Sequence, residues 1–465
     1  MSDTDASSDG DATGDDADAG ATDQAIDTKV EAAEAAALDL ANVDDSDRQA
    51  ALHAIADAID DNREAIQAAN AEDVDAAEEM LEAGEYTQAL VDRLKLSDAK
   101  LDSIVEMARS VAAQDDPLGK TLEARELDEN LELYKLAVPI GVVGTVFESR
   151  PDALVQIAAL ALKSGNSVML KGGSEASESN RVLFELIREA TADHDAIPEG
   201  WAQLVEARAD VTAMLDMDDE IDLLMPRGSS EFVQYVQDNT SIPVLGHTEG
   251  VCHVYVDREA DLDMATEVAY DAKVQYPAVC NAVETLLVHE AVAEEYLPQI
   301  VKRYAAADVE IRGDERTREI VDVAAASEAD WSTEYGDLIV AVKIVDSLTD
   351  AINHITEYGS KHTESIITAD ADRAGRFMRS LDAASVFHNA STRFADGYRF
   401  GLGAEVGIST GKIHARGPVG LEGLTTYKYH LEGDGHLVAT YAGDDPRPFT
   451  HEAFDGEWVP GELSK

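Results

Sequence analysis

The chain has 465 residues, of which 45 % are hydrophobic and 28 % charged, a composition typical of a globular protein with two or three domains. Its 94 acidic and 36 basic residues give a formal net charge of −58, which repels nucleic-acid phosphates and anionic lipid, so we expect neither as a partner. Two cysteines, no apolar run of membrane-spanning length and no signal-peptide pattern predict a protein of the reducing cytoplasm.

The acidic residues are spread along the whole chain. Their mutual repulsion destabilises a compact state at low ionic strength, whereas in molar salt the Debye length is only about 3 Å and screens most of it. The charge therefore predicts adaptation to a very salty cytoplasm. An acidic interaction tail on an ordinary enzyme is the alternative, but a tail would concentrate the charge.

Residues 1–26 hold almost no large apolar side chain and are expected to form a disordered acidic tail. From residue 27 to 118 the apolar residues recur at helical spacing, which predicts helices. The positions that carry this pattern are Leu38, Leu52, Ile55, Ile59, Ile66, Leu90, Leu94, Leu101, Ile104 and Met107.

A regular alternation of apolar strands and helices follows. Repeated strand–helix units with apolar strands predict a parallel sheet covered on both faces, the doubly wound architecture that binds nucleotides. We assign residues 27–118 and 139–248 to this domain. After a β-rich run over 136–147, its predicted strands cover 167–170, 201–205, 221–225 and 242–245, and its predicted helices 152–163, 177–191, 210–217 and 230–237.

A second alternating set predicts an α/β catalytic domain over residues 249–425. Its predicted strands are 251–256, 284–289, 338–345, 365–368 and 385–388. The stretch 389–426 is rich in Gly, Ser, Thr, Arg and His without periodicity, and long irregular loops in compact enzymes usually line a site. Residues 428–440 suggest a final strand, and residues 443–465 are expected to form a loose tail.

Cys280 lies between a helix-like stretch and the predicted strand 284–289, just after Pro277. A thiol on a connection between regular elements is a candidate nucleophile. The competing interpretation is a buried apolar cysteine, which taken alone is the commoner case.

Two turns have the pattern of a phosphate cradle, in which a glycine and a basic residue meet the free N–H groups of a helix start. They are Lys171-Gly172-Gly173-Ser174 and Arg227-Gly228-Ser229-Ser230. Such turns are common in any α/β protein, so each alone is weak, while two in one sheet favour a dinucleotide.

Other polar residues stand where an anion could bind. Arg150 follows the first strand of the parallel sheet, and the 388–394 segment holds Asn389 and Arg393. Cys252-His253 with His247 matches no zinc spacing, so we expect no metal. Nothing in the sequence shows whether a histidine reaches Cys280.

Taken together, these segments resemble the gamma-glutamyl phosphate reductase family, also called glutamate-5-semialdehyde dehydrogenase. The resemblance covers roughly residues 27–440 and rests on segments 138–151, 162–166, 170–173, 226–229, 243–247, 273–289 and 388–429. The family belongs to the aldehyde dehydrogenase superfamily and acts in proline biosynthesis. The resemblance implies an α/β aldehyde-dehydrogenase-like fold, with strands 119–138 and 426–442 as a small oligomerisation hairpin.

The resemblance also implies a reaction. Cys280 would attack L-glutamyl 5-phosphate, release phosphate and form a thioester, which NADPH reduces to the semialdehyde. Cofactor residues would be Lys171, Gly172, Gly173, Gly228 and Ser229. Substrate residues would be Ser149, Arg150, Asn281, Asn389 and Arg393. A homo-oligomer and a separate glutamate kinase are the expected partners.

Two other interpretations remain open, and a third can be set aside. An oxidative, hydrolysing aldehyde dehydrogenase is the runner-up, although its general-base glutamate aligns with Val244 here. Ser149 likewise takes the place of that family's oxyanion asparagine. A non-catalytic acidic binding protein leaves the Cys280 and Arg150 segments unexplained, and a kinase–reductase fusion lacks room before residue 27.

Overall fold

The computed structural model describes residues 15–459, which divide into two compact units. The first unit runs up to Gly228 and adds Val236–Val244 and the chain from Leu424 onward. The second unit comprises Ser229–Tyr235 and Leu245–Gly423. No helix among the described residues is long and apolar enough to cross a membrane.

The helices of the described chain are α1 (Asp15–Leu40), α2 (Asp45–Asp61), α3 (Arg63–Glu82), α4 (Gln88–Leu94), α5 (Asp98–Ala112), α6 (Pro151–Lys163), α7 (Ser177–Ala192), α8 (Arg208–Leu215), α9 (Ser230–Asp238), α10 (Leu262–Val274), α11 (Glu290–Ala305), α12 (Glu315–Ile320), α13 (Leu348–Tyr358) and α14 (Ala371–Ser380).

The strands are β1 (Thr121–Asp128), β2 (Leu131–Pro139), β3 (Val142–Phe147), β4 (Ser167–Gly172), β5 (Ala202–Leu204), β6 (Leu223–Arg227), β7 (Cys252–Val256), β8 (Val283–His289), β9 (Glu310–Gly313), β10 (Ala324–Ala325), β11 (Ile339–Val345), β12 (Thr363–Ile367), β13 (Ser385–His388), β14 (Gly407–Ser409), β15 (Gly417–Val419), β16 (Thr425–Gly433) and β17 (Glu452–Ala453).

The first unit contains a parallel sheet with strand order β5-β4-β3-β6. Every residue of β3 and β4 is buried, which explains why both read as continuous apolar runs. The chain leaves β3 for β4 and β5 on one side and returns to β6 on the other, so β3 is a topological switch point. Crevices at such points, beyond the carboxyl ends of the strands, are where nucleotides bind.

Helices α2, α5, α6 and α7 pack together in this unit, with buried positions such as Leu52, Ile55 and Ile59. Helix α6 begins at Pro151, where the missing N–H costs nothing. The predicted helix over 152–163 and strand over 167–170 are both present. The predicted strand 242–245 is not formed, because only Val244 makes a single bridge to Leu224.

The second unit is built on a seven-stranded parallel sheet with order β10-β9-β11-β8-β7-β12-β13. Strands β7, β8 and β12 are buried throughout and pack against α10 and α11. This sheet agrees with the α/β fold class predicted for the second alternating set, and the domain bounds 249–425 stay a prediction. The irregular stretch after β13 holds only two short antiparallel strands, β14 and β15.

An antiparallel sheet of order β16-β2-β1-β17 belongs to the first unit. It contains the hairpin expected over 119–138 and the strand expected near 426–442, and its oligomerisation role stays a prediction. The tail expected to be loose after residue 443 instead folds back along β1. Its Phe454 and Trp458 pack against Tyr134 and Leu136, so apolar burial holds it in place.

The N-terminal expectation also differs from the structure. Residues 1–14 of the predicted tail lie outside the described residues, but 15–26 belong to α1. Alanine recurs in this stretch and has a high helix propensity. The prediction of disorder rested on the low hydrophobicity of the stretch and did not take this propensity into account.

Candidate active site

Cys280 lies on the turn between α10 and β8, as predicted, and its side chain is half-buried. The turn is held close to Gly250, two residues before β7. A Cβ atom on Gly250 would lie 2.1 Å from the carbonyl oxygen of Cys280 and 2.6 Å from its Cα. Only glycine allows this approach, so Gly250 fixes the backbone that carries the thiol.

Two histidines lie beside this thiol. The ligand-type atoms of His247, Cys280 and His362 are all within 4.8 Å of one another. His247 is half-buried and His362 is buried. The sequence offered His247 only in a metal grouping with Cys252 and His253, and gave no signal for His362. The parallel pairing of β7 with β8 and β12 brings both histidines to Cys280, which their spacing along the chain does not reveal.

Hydrogen bonds orient both imidazoles. Nδ1 of His247 lies 2.9 Å from the carbonyl oxygen of Ile408, which only accepts, so Nδ1 carries the proton and Nε2 a lone pair. Nδ1 of His362 lies 2.9 Å from Oγ1 of Thr363. Burial, reinforced by His247, lowers the pKa of His362 to about 3, so His362 is neutral at neutral pH.

The other thiol, Cys252, is fully buried on β7 and donates to the carbonyl oxygen of Cys280 at 3.2 Å. Burial raises its pKa well above the usual value, with nearby Glu364 adding to the shift. A neutral, inaccessible thiol is a poor nucleophile. Cys252 therefore supports the turn from behind, which leaves Cys280 as the candidate nucleophile.

The grouping of Cys252, His253 and His247 that sequence analysis weighed for a metal does not form. His253 instead binds Glu364 through Nδ1 at 3.0 Å, and both side chains are buried. Among the described residues, His247 and His362 are the histidines grouped with Cys280, and Nδ1 of His362 also lies 3.6 Å from Sγ of Cys252.

Arg393 lies in the same unit as the thiol and is buried. Its Nε donates to Oε1 of Gln275 at 3.0 Å, and its terminal guanidinium nitrogens make no hydrogen bond to the described residues. Burial lowers the pKa of Arg393, and Cys280 is among the groups that oppose the shift. A buried guanidinium with free donors close to the thiol fits an anionic substrate.

The two asparagines predicted to bind substrate have structural partners. Asn281 donates through Nδ2 to the carbonyl oxygen of Ala395 at 2.8 Å, while its buried Oδ1 has no partner in the described chain. Asn389, at a φ of 55°, uses its amide to bind the N–H and the carbonyl of Thr368. The geometry of Asn389 thus fits loop positioning better than substrate contact.

In the first unit, Ser149 and Arg150 follow the carboxyl end of β3. Ser149 has a φ of 50° and donates both its N–H and its hydroxyl to Oε1 of Glu175. Arg150 keeps 42 % of its side chain exposed and lies 3.5 Å from Asp152. Despite burial, Arg150 and Lys100 hold the pKa of Asp152 below its usual range.

The predicted cofactor residues stand at the same carboxyl edge. Lys171 and Gly172 end β4, Gly173 follows them, and Gly228 follows β6. Burial lowers the pKa of Lys171, with Glu175, Asp210 and Glu206 opposing the shift. Ser229 starts the second unit and accepts a hydrogen bond from the N–H of Phe232 at the start of α9.

Lys171, Gly172, Gly173 and Gly228 fit the phosphate groups of a nicotinamide dinucleotide, because they combine a cation with glycines at the carboxyl edge of a parallel sheet, beside its switch point. The thiol and the two parallel sheets together define an enzyme of the aldehyde dehydrogenase class. The model of the aldehyde dehydrogenase family accordingly matches residues 11–335.

Individual relatives narrow this class. A gamma-glutamyl phosphate reductase of Natronomonas pharaonis is 75 % identical, over 94 % of this chain and 100 % of the relative. One of Haloquadratum walsbyi is 70 % identical, over 94 % and 96 %. The crystal structure of a Thermotoga maritima gamma-glutamyl phosphate reductase is 43 % identical, with a TM-score of 0.85 over 89 % of this chain and 99 % of that one. The chain belongs to the gamma-glutamyl phosphate reductases of the aldehyde dehydrogenase family.

Proposed function

We propose that Cys280 is the nucleophile with which this chain reduces L-glutamyl 5-phosphate to L-glutamate 5-semialdehyde. The activity is that of a gamma-glutamyl phosphate reductase and belongs to proline biosynthesis. The observation that supports Cys280 most is its half-buried thiol within 4.8 Å of the ligand-type atoms of two histidines. Cys252 also lies near a histidine, with its Sγ 3.6 Å from Nδ1 of His362, but it is fully buried and so inaccessible to a substrate.

His247 activates the thiol. Because its Nδ1–H is held by Ile408, its Nε2 can accept the proton of Cys280 and leave a thiolate beside an imidazolium. Cations next to a cysteine favour the thiolate. His362 remains neutral and stabilises the arrangement by its edge contact with His247.

The thiolate then attacks the acyl carbon of the substrate. The carbon–oxygen bond to phosphate breaks, and phosphate leaves with the proton held on His247, so that a thioester and neutral histidine remain. A nicotinamide cofactor, when bound, would supply the hydride that reduces the thioester carbon. The resulting thiohemiacetal oxyanion on Cys280 collapses to the aldehyde and a thiolate, which regains a proton from solvent. The backbone N–H of Cys280 is the proposed oxyanion donor.

Arg393 is the proposed clamp for the substrate's negative charge in the second unit. Arg150, beside Ser149 in the first unit, is a second anion-binding candidate. Asn281 borders the thiol in sequence and orients the turn through Ala395.

Family membership implies a nicotinamide cofactor, and we propose NADPH. Lys171, Gly172, Gly173, Gly228 and Ser229 would hold its ribose and phosphate groups. A comparison of NADPH and NADH as substrates for the Lys171→Met variant tests this choice: loss of preference for NADPH supports it, and an unchanged preference contradicts it.

An assay in the oxidative direction tests the reaction itself. In molar KCl, semialdehyde with NADP should yield NADPH only when phosphate or arsenate is present, because these anions cleave the thioester. Turnover that needs neither anion would instead indicate the hydrolysing dehydrogenase.

Two partners remain proposals. A glutamate kinase would supply the labile acyl phosphate, and the antiparallel sheet of β1, β2 and β16 would join subunits of a homo-oligomer. A pull-down at high salt and a mass measurement in solution test them separately, with no retained kinase and a monomeric mass as the negative results.

A further inference from the structure

We propose that His247, Cys280 and His362 form a binding site for one soft divalent cation, of which Zn²⁺ is the chemical type, and that the bound ion blocks the thiol reversibly. Binding of the cation requires only these three residues and does not depend on the proposed reaction. Only the inhibition rests on the proposed function of Cys280.

The donor set suits such an ion. One thiolate and two imidazoles are the ligands that Zn²⁺ prefers, and three protein ligands leave a fourth position for water or substrate. Tetrahedral zinc places its sulfur and nitrogen ligands about 3.5 Å apart. The present separations, within 4.8 Å, require movements of roughly 1 Å, which side-chain rotation of the half-buried Cys280 can supply.

A second observation points to a ligand independently. Nε2 of His362 is buried and has no hydrogen-bond partner within the described chain. Buried polar atoms without partners are rare and call for an occupant or a function. In the tautomer in which Nδ1 of His362 donates to Thr363, Nε2 carries a lone pair that can bind a metal.

The outer contacts are those of a metal site as well. Metal-binding histidines usually donate their other ring N–H to a backbone carbonyl or a similar acceptor, which fixes the tautomer. His247 does so to Ile408, and Nδ1 of His362 lies 2.9 Å from the hydroxyl oxygen of Thr363, which can accept a hydrogen bond. Coordination breaks the S–H bond of Cys280 and releases its proton to solvent, while no electron is transferred.

The test uses the full-length protein in molar KCl, where surface carboxylates are screened and bind little metal. Co²⁺ is the probe, because its bond to a thiolate produces a charge-transfer absorption band that carboxylate binding does not. We expect one Co²⁺ per chain with this band, and displacement of the Co²⁺ by Zn²⁺. Binding without the band means adventitious surface metal only and overturns the proposal.

Variants locate the site. Cys280→Ser should abolish the band, and His247→Gln and His362→Gln should each weaken Co²⁺ binding at least roughly tenfold. Cys252→Ser, the matched thiol control, and His388→Gln, an exposed histidine, should leave the band in place. A band lost in Cys252→Ser but kept in Cys280→Ser would overturn the site. Should Cys280→Ser not fold, wild-type protein alkylated with iodoacetamide replaces it and should lack the band.

Inhibition of the enzyme by Zn²⁺ is the second test. Zn²⁺ should inhibit reduction of the acyl phosphate with the same midpoint at which it displaces Co²⁺, and a chelator should restore activity. A thiolate band without inhibition would refute Cys280 as the nucleophile while leaving the metal site intact. The converse pair of results is a wild-type protein that shows no band and a Cys280→Ser variant that is inactive. That pair of results would refute the metal site and leave the proposed role of Cys280 intact.

Discussion

The imidazole rings of His247 and His362 meet edge to face, with 5.1 Å between their centroids and 68° between their planes. The two rings are unequal. Burial keeps His362 neutral, so in the proposed mechanism the less buried His247 takes the proton that leaves Cys280. This asymmetry gives each histidine a distinct role beside one thiol.

Replacement of His247 by Gln should slow the reduction by about a hundredfold, the usual contribution of a positioned base. The same change should move the alkylation of Cys280 by iodoacetamide to higher pH, because the thiolate loses its partner. The measurement is the pH profile of alkylation followed by peptide mass spectrometry.

The exposed His388 is the matched control, and His388→Gln should leave both the rate and the profile unchanged. If His247→Gln lowers the rate without moving the alkylation profile, the histidine acts only through the fold.

Arg393→Gln should raise the KM for the acyl phosphate by at least about tenfold, with little change in the KM for NADPH. The free guanidinium donors near Cys280 account for this split, since a buried charge-assisted hydrogen bond contributes about 1.5–3 kcal/mol. Steady-state kinetics with each substrate varied in turn would reveal it.

Arg399→Gln provides the comparison, because Arg399 already pairs with Asp396 at 3.1 Å. Equal increases in both KM values for Arg393→Gln would contradict an anion clamp.

His354 should make the protein sensitive to acid. Burial lowers the pKa of His354 to about 2, with His253 and Lys343 adding to the shift. Because the folded pKa is below the unfolded value of about 6.5, the stabilisation is complete above pH 6.5 and is lost as pH falls towards 2. The loss between pH 7 and pH 5 amounts to about 2 kcal/mol.

The free energy of unfolding of His354→Asn, measured in molar KCl, should therefore fall less steeply between these two pH values than that of the wild type. His388→Asn, at an exposed position, should keep the wild-type slope. An unchanged slope in His354→Asn would show that other groups control acid unfolding.

Low salt should unfold the protein. With a net charge of −58, reduction of KCl from molar to about 0.01 M lengthens the Debye length from about 3 to 30 Å and exposes the self-repulsion. The two relatives described above come from halophiles, in agreement with this expectation. Far-UV circular dichroism during dialysis follows the loss, and a protein that stays folded and active at low salt would refute the prediction.

The parallel strands could be predicted because burial on both faces makes them continuous apolar runs, as in β3, β4 and β7. Short strands such as β10 and β17 carry no such signal, because two residues show no period. The C-terminal tail was expected to be loose because its few apolar residues, Phe454 and Trp458, are separated by polar ones.

The candidate site was predicted only in part, because the sequence shows local features and does not show which distant strands pair. Cys280 could be found from its local sequence, a thiol between regular elements. His247 and His362 could not, because their approach depends on the pairing of distant strands rather than on spacing. The alignment of Val244 with the general-base glutamate of hydrolysing dehydrogenases did not reveal that His247, three residues later, lies beside the thiol.

The most direct test of the central claim is the isolation of the acylated enzyme. Semialdehyde and NADP, mixed with the wild-type protein in molar KCl without phosphate, should leave a glutamyl group on the Cys280 peptide in mass spectrometry, and arsenate should remove it. Absence of that group at Cys280, or its appearance on Cys252, would contradict the account.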